Sequence, residues 1–598
     1  MREAWRTSLP YFARHRRHLM LGFGALLAKS VAGVAWPLMM KQGIDRTTRD
    51  FSLEAVWWLA GAIIVASAVK GYFQYWMRVL LVGVSRDIEY DLRNELFVKL
   101  LSLSADFHGR LRTGDIMTRL TSDLNAVRMM HGPGVMYWCE TMITFGLAGA
   151  VMLNADWRLT LAALLPAPLI SYVVVHFGQT IHQRFAAIQT MFSAISSRVQ
   201  ENISGVRVIR AYVQEEAELR RFENLNRDYI ERNLKLVRDT GIFYPLLGAL
   251  VSITFLIVLG VGGSRVLNGQ ITLGEFVMFQ GYMNMLVWPL IAFGWVTNLT
   301  QRGTASLKRL MEILNEVPTI AVPVTGARAL PQPWRGEIEF RGVRVEHGGR
   351  TAIDGLSLRI EAGTTVAIVG PTGCGKTTLV SLIARLRDPD AGTVLLDGID
   401  LREFDPAQLR AAIGLVPQET FLFSTTLADN IAFGDRMASQ SRIEAAAAAA
   451  GLAGDIAGFP QGYETLVGER GISLSGGQKQ RTAIARALLR QPRILILDDA
   501  LSSVDTVTED RILHALAQQT AGRTAILISH RVSTVKDADQ IVVLEAGRIV
   551  EQGTHPELLA RQGHYAHLYQ SSSWKRRSRP RKGPLRYTQF THAETALR

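Results

Sequence analysis

Three short stretches carry residues whose types and spacing suit phosphate chemistry. The first is GPTGCGKTT (370–378), which fits G-x-x-x-x-G-K-[ST] throughout. Gly370, Gly373 and Gly375 let successive backbone amides turn inward around phosphate oxygens, with Pro371, Thr372 and Cys374 between them. Lys376 can reach the outer phosphates of a nucleotide and the Thr377 hydroxyl can hold Mg²⁺. Thr378 continues into a helix whose N-terminus faces the anion. An apolar strand (366–369) before the loop and a helical run (378–386) after it supply the required context. The second stretch is ILILDDA (494–500), an apolar strand that ends in Asp498 and Asp499. Asp498 can reach Mg²⁺ directly or through water, and Asp499 is placed to orient or deprotonate an attacking water. The third is LSGGQKQR (474–481), with Leu474, Ser475, Gly476, Gly477 and Gln478 at its head.

These stretches need a scaffold, and at 598 residues the chain is too long for one core. Its apolar runs all fall in the first half, and the second half reads as an α/β domain. Between them IAVPVTGARALPQPW (320–334) is Pro-rich, lacks a helical period and reads as a linker. Short strands follow it, IEFRGVRVE and TAIDGLSLRI, and then the strand that feeds the phosphate loop. There are two cysteines, Cys139 and Cys374, which excludes a disulfide framework and a cysteine-rich metal site. The net charge of +13 fits a membrane protein with basic cytosolic edges. Nothing else in the chain supports a nucleic-acid partner, and none is expected.

A spanning helix needs about 20 mostly apolar residues. Six segments qualify: 19–40, 56–84, 135–153, 159–177, 242–267 and 276–299. Spans three and four form a hairpin, and spans five and six are joined by a short loop. The intervals between spans two and three and between spans four and five are long, polar and rich in Lys and Arg. Apolar residues at helical spacing within them, as in DIEYDLRNELFVKLLSL (87–103), predict that the membrane helices run on into the cytosol. The positive-inside rule then puts both long intervals, both termini and the α/β domain on the cytoplasmic side of a bacterial inner membrane. Residues 1–18 are polar and basic and read as an amphipathic elbow at the membrane surface rather than a cleavable leader.

Lys29, Lys70, Glu140 and His176 fall within the spans, where a charge is costly and usually faces a bundle interior or a wet path. Lys29, Lys70 and Glu140 are the candidates to line a substrate cavity; snorkelling or helix–helix pairing is the plainer alternative. The last span is rich in Met and aromatic residues, among them Met278, Tyr282, Met285 and Trp288, which suits lipid contact or an adaptable apolar lining. The alanine run 445–450 reads as an ordinary helix. The basic tail 574–598 reads as disordered and solvated, or as a contact for anionic lipid.

Taken together these stretches resemble the ATP-binding cassette (ABC) family over nearly the whole chain, and in particular its half-transporter exporters. The resemblance implies an all-α polytopic membrane domain of six transmembrane helices (19–319) fused to an α/β P-loop ATPase of the ABC type (335–573). It implies ATP and Mg²⁺ as cofactors, with Thr377, Gln418 and Asp498 around the metal. Gln418 in LVPQET resembles the family's metal-sensing glutamine, and His530 in ISHR resembles the histidine that contacts the terminal phosphate. With Asp499, these two complete the catalytic set that the resemblance implies. Asp505 in SSVD resembles the loop that crosses the dimer interface, and VGERG (467–471) resembles the exporter-type loop before the signature. By the same resemblance Leu474, Ser475, Gly476, Gly477 and Gln478 cap ATP held by the opposite chain. The tips of the long intervals, near 104–109 and 205–211, look like coupling helices.

Two positions depart from the family's pattern. Asp499 stands where members usually carry glutamate, so the carboxylate is one methylene short. Phosphoryl transfer depends on positioning, and a displacement of about 1 Å can cost roughly 100-fold. The same change marks the weaker half of heterodimeric members, which favours a heterodimer with a second half-transporter over a homodimer. His347 stands where a tyrosine usually stacks on adenine, which leaves a smaller ring. The expected function is ATP-driven export or flipping of lipophilic small molecules or lipids, with membrane lipid as surroundings. A peptide exporter, or a mainly regulatory subunit with little turnover, is the alternative.

Overall fold

A computed structural model describes residues 2–49, 52–320, 326, 328–330, 334–468, 471, 474–519, 522–529 and 531–577. It divides into two compact units. One holds the described residues of Met1–Ser102 and Leu111–Glu316, and the other those of Leu103–Arg110 and Val317–Arg598.

The first unit is helical because no other open structure satisfies every backbone group in hydrocarbon. An amphipathic helix, α1 (Arg2–Arg14), comes first. Then follow α2 (Arg16–Arg49), α3 (Leu53–Ser102), α5 (Thr113–Ala155), α6 (Trp157–Ser204), the short α7 (Val206–Ala211), α8 (Glu215–Leu267) and α9 (Leu273–Leu314), while the short α4 (Ala105–Arg110), next after α3 in the chain, belongs to the second unit. Among the described residues, six helices are long and apolar enough to cross a membrane: α2, α3, α5, α6, α8 and α9. Each contains one of the six expected spans. At 50 residues α3 is about 75 Å long, more than twice the hydrocarbon thickness of about 30 Å, so most of the excess projects beyond the bilayer. The polar ends of these helices carry ion pairs along the helix, such as Arg227–Glu223 at 3.0 Å and Lys235–Glu231 at 2.6 Å.

The first helix is tied to the polar end of α3. Tyr11 donates to Glu95 at 2.6 Å, and the Arg14 guanidinium lies 3.2 Å from Glu95 and 3.5 Å from Asp91. Burial, and then the Glu95 acceptor, push the Tyr11 phenol up from its ordinary pKa. At their opposite ends α2 and α9 are joined by Lys41–Glu275 at 2.8 Å and by Asp45, which accepts from Gly274 N at 3.0 Å and from the Thr272 hydroxyl at 2.9 Å. Thr272 and Glu275 also form a capping box that starts α9.

Three turns depart from α geometry in ways the apolar periodicity did not signal. Two π turns interrupt α5, at Arg119–Asp123 and Met130–Gly134, and one interrupts α8 at Val258–Gly262. The second contains Pro133, which has no N–H to give to a regular ladder. Pro166 separates the first two turns of α6 from the rest.

The second unit is built on two sheets. β1 (Ile338–His347), β2 (Arg350–Ile360), β4 (Ala391–Leu396) and β5 (Ile399–Asp400) form an antiparallel sheet in the order β2-β1-β4-β5. The second sheet has the order β10-β9-β3-β8-β7-β6, with β3 (Thr365–Val369), β6 (Ile413–Val416), β7 (Ile494–Asp498), β8 (Thr524–Ile528), β9 (Gln540–Glu545) and β10 (Arg548–Gly553). Its strands are parallel except β10. The parallel strands read as continuous apolar runs because both faces are covered. Leu379 and Ile383 of α10 (Lys376–Ile383) share one core with Ile338, Ile353, Ile368, Ile496 and Ile526. A second core gathers Leu427, Ile431, Ile484, Leu488, Leu497 and Ile512. The alanine run belongs to this second core: Ala446, Ala447 and Ala449 are buried in the helix Gln440–Ala449, where a small side chain lets neighbours approach closely.

Of the expected linker, residues 321–325, 327 and 331–333 lie outside the described residues. Arg328 within it pairs with the 403–404 backbone, its N–H donating to Glu403 O at 2.9 Å. The expected tail begins inside a helix, His564–Arg577, and its residues 578–598 lie outside the described residues.

Candidate nucleotide site

In the parallel sheet β8 lies between β3 and β7, so the loops after β3 and β7 open side by side at the carboxyl ends of the strands. Ligands of open α/β sheets bind there. The loop after β3 depends on its glycines. A Cβ on Gly370 would collide with the Leu544 carbonyl, and one on Gly375, at φ +103°, would lie 2.5 Å from the Ala352 carbonyl. Gly375 then serves as the N-cap of α10, so the helix begins at Lys376.

A cavity of ≈ 250 Å³ opens at this point. It is lined by His347, Thr372, Gly373, Gly375, Lys376, Thr377, Thr378, Gln418, Asp498 and Asp499. Residues more than 150 positions apart in the chain therefore meet at one place. The buried Lys376 ammonium donates to the carbonyls of Gly370 at 2.9 Å and Pro371 at 2.8 Å. Cys374 behaves differently from its neighbours. Its side chain is only 4% exposed and joins the core beneath the loop, so the thiol does not line the cavity. The Thr377 hydroxyl, the Gln418 amide and the Asp498 carboxylate offer hard oxygen donors on one cavity, a set that fits Mg²⁺. His530 lies outside the described residues.

Asp499 follows the last residue of β7 with φ at +46°. Its N–H donates to Ile528 O at 2.9 Å, and its carbonyl accepts from the Ser502 hydroxyl at 2.9 Å. His347 ends β1 on the rim of the cavity, where Arg387 Nη1 lies 2.7 Å from its Nδ1. The same guanidinium donates to Glu346 O at 2.6 Å and lies 3.5 Å from Asp106 of α4, a segment that belongs to this unit.

Leu474, Ser475, Gly476, Gly477 and Gln478 stand outside this cavity. Ser475 caps α11 (Gly476–Leu489): its hydroxyl accepts from Gln478 N at 3.3 Å, and Ser475 N donates back to the Gln478 amide at 3.0 Å. The two glycines give the 502–505 loop room, because a Cβ on Gly477 would lie 3.0 Å from Ser503 O. Asp505 caps the next helix, α12 (Thr506–Gln519), through Thr508 N at 3.0 Å.

Two residues of the quoted stretches LSGGQKQR and ISHR take roles that the motifs alone do not assign. Gln480, inside the signature stretch, donates to the Ser502 hydroxyl at 2.9 Å and accepts from Ser503 N at 2.9 Å. It thereby ties the signature helix to the loop after Asp499. Arg531, next to His530 in sequence, donates to Ser502 O at 2.6 Å and Val504 O at 2.9 Å and pairs with buried Glu509 at 2.6 Å. Membership of a quoted motif was the only available signal for either.

Comparison with known proteins agrees with this geometry. The family model "ABC transporter transmembrane region" matches residues 19–290, and "ABC transporter" matches 353–502. The chain is 38% identical over 551 residues to a probable multidrug resistance ABC transporter ATP-binding/permease protein, YheI, of Bacillus subtilis (strain 168), covering 91% of this chain and 93% of the relative. It is 36% identical over 550 residues to an ATP-dependent lipid A-core flippase of Syntrophus aciditrophicus (strain SB), covering 91% of each. A bacterial Atm1-family ABC exporter with ATP bound has the same fold, with a TM-score of 0.77 at 29% identity, over 94% of this chain and 99% of that one. A six-helix membrane region and an ATPase whose phosphate loop, paired aspartates and signature are all present place this chain in the ABC transporter family, among the exporters that couple ATP hydrolysis to transport.

Proposed function

We propose that the chain is one half of a dimeric exporter that moves lipophilic small molecules or lipids across the bacterial inner membrane by alternating access. The observation that carries this reading is the convergence of Lys376, Thr377, Gln418, Asp498 and Asp499 on one cavity that excludes the chain's own signature. Such a site needs a second chain to supply Leu474–Gln478 from outside. Lys376 and the loop amides hold phosphate; Thr377, Asp498 and Gln418 organise Mg²⁺; Asp499 and His530 handle the water and the terminal phosphate; His347 meets adenine. ATP prefers the closed dimer, and that difference in affinity is what shifts the equilibrium.

The basic intervals favour a cytoplasmic ATPase and cytoplasmic termini. Residues 1–18 act as the elbow, 320–334 as the linker and 574–598 as a basic tail. Relatives named for multidrug resistance and lipid A-core flipping support an amphiphilic substrate. The shortened carboxylate of Asp499 favours a heterodimer whose partner supplies the stronger site, and it also sustains a second reading, a regulatory half with little turnover of its own.

The test is ATP turnover by this chain alone, reconstituted in lipid as a verified dimer, with Lys376→Ala as the control. Turnover above the control means a working homodimer. Turnover equal to it means that a glutamate-bearing partner is missing.

A further inference from the structure

The membrane unit has a second cavity, of ≈ 110 Å³, lined by residues of α2, α3, α5 and α9. Lys29 of α2 and Glu140 of α5 form an ion pair there and neutralise one another. Lys70 of α3 reaches the same cavity, with no ion-pair partner among the described residues. The three groups therefore leave one net positive charge. Ser30, only 1% exposed, lines the cavity with a hydroxyl that has no hydrogen-bond partner among the described residues. Buried polar groups are nearly always satisfied, so an orphan hydroxyl in a cavity wall calls for a partner, either water or a ligand group. Gly33 keeps the space open: a methyl there would lie 3.3 Å from Met285 Cε and 3.8 Å from Lys70 Cε. Met285 and Trp288 of α9 form the opposite, apolar wall.

We propose that this cavity is a headgroup site for an anionic amphiphile, whose oxyanion pairs with Lys70 and accepts a hydrogen bond from Ser30 while its apolar part follows Met285 and Trp288. The chemistry discriminates by sign. An unpaired ammonium at membrane depth gains most from an oxyanion, and it repels a cationic head in the same low-dielectric surroundings. The small volume admits the headgroup and the start of the chain along Met285 and Trp288, and the rest of the chain lies outside it. The proposal deepens the export reading and rests on it only for turnover; binding is read separately.

The experiment uses the full-length protein in phosphatidylcholine nanodiscs and radiolabelled dodecyl phosphate. Competitors are dodecyltrimethylammonium and inorganic phosphate. Saturable binding is expected, weakened about tenfold by Lys70→Gln, weakened less by Ser30→Ala and tightened by Glu140→Gln, which frees the Lys29 charge. A general folding defect cannot produce a gain in Glu140→Gln, and ATP binding by each variant checks that the chain is intact. Binding indifferent to Lys70→Gln, or competition by the cationic amphiphile as strong as by unlabelled dodecyl phosphate, overturns the proposal. Inorganic phosphate competing as well as dodecyl phosphate also overturns it, because the site then takes the free anion. If the variants follow the expected order and ATP turnover ignores the ligand, the headgroup site stands and the export reading fails. If other amphiphiles stimulate turnover and dodecyl phosphate binding ignores positions 70 and 140, the reverse holds.

Discussion

At position 499 the backbone turns left-handed, with φ at +46°, and the residue is not glycine. Aspartate and asparagine tolerate this region better than longer side chains do, because a short polar group can bond locally. The shorter carboxylate is thus also the one that suits the backbone. Asp499→Asn removes the charge and keeps the conformation. We expect ATP binding unchanged and turnover lowered on the order of 100-fold, as for the loss of a general base, measured as nucleotide titration beside phosphate release. Turnover close to wild type would move the catalytic role elsewhere. Asp498, Asp499, Lys376 and the loop glycines were legible because the chemistry demands those types at those spacings. Gln480 and Arg531 were not, because each acts through carbonyls and hydroxyls that nothing in the local sequence marks.

The elements show the same division. Apolar runs located every spanning helix, but not where each ends, because the helices continue on charged side chains held by pairs along their own surface. Arg387 is an element-scale feature that no pattern announced: it joins His347 on the cavity rim to Asp106, 281 residues earlier in the chain. Its Nη1 reaches both partners while Nη2 donates to Glu346 O, a divided grip that a single ammonium cannot hold. Arg387→Ala is expected to keep basal ATP turnover within about threefold and to lose most of the stimulation by transported amphiphiles, since α4 and the rim then respond separately. Equal loss of both activities would show a folding role instead. The π turns were equally silent. Each holds one residue beyond an α turn. Deleting Gly260 from the turn Val258–Gly262, where a Cβ on that residue would meet nothing within 4 Å, should restore a continuous helix with its flanking faces unchanged. Deleting Leu234 from the regular part of α8 rotates everything beyond it by about 100°. Membrane expression and thermal stability should survive the first deletion and not the second.

At the scale of the whole molecule, the two-part plan was readable from composition alone, because a half with long apolar runs and a half with short strands need different surroundings. The order of the strands was not, since β8 slips between β3 and β7 only in three dimensions. The position of Leu474–Gln478 outside the cavity that holds Lys376 has a consequence in genetics. If two copies pair head to tail, each site draws its phosphate loop from one copy and its cap from the other. A Lys376→Ala copy and a Ser475→Arg copy are each inactive as pure dimers; the second also loses a helix cap worth about 1 kcal/mol, which the fold tolerates. In the mixed dimer one site collects both lesions and the other collects none. Two dead alleles expressed together should therefore complement, with up to half of the wild-type turnover per mixed dimer. A chain that supplied its own cap could never do so.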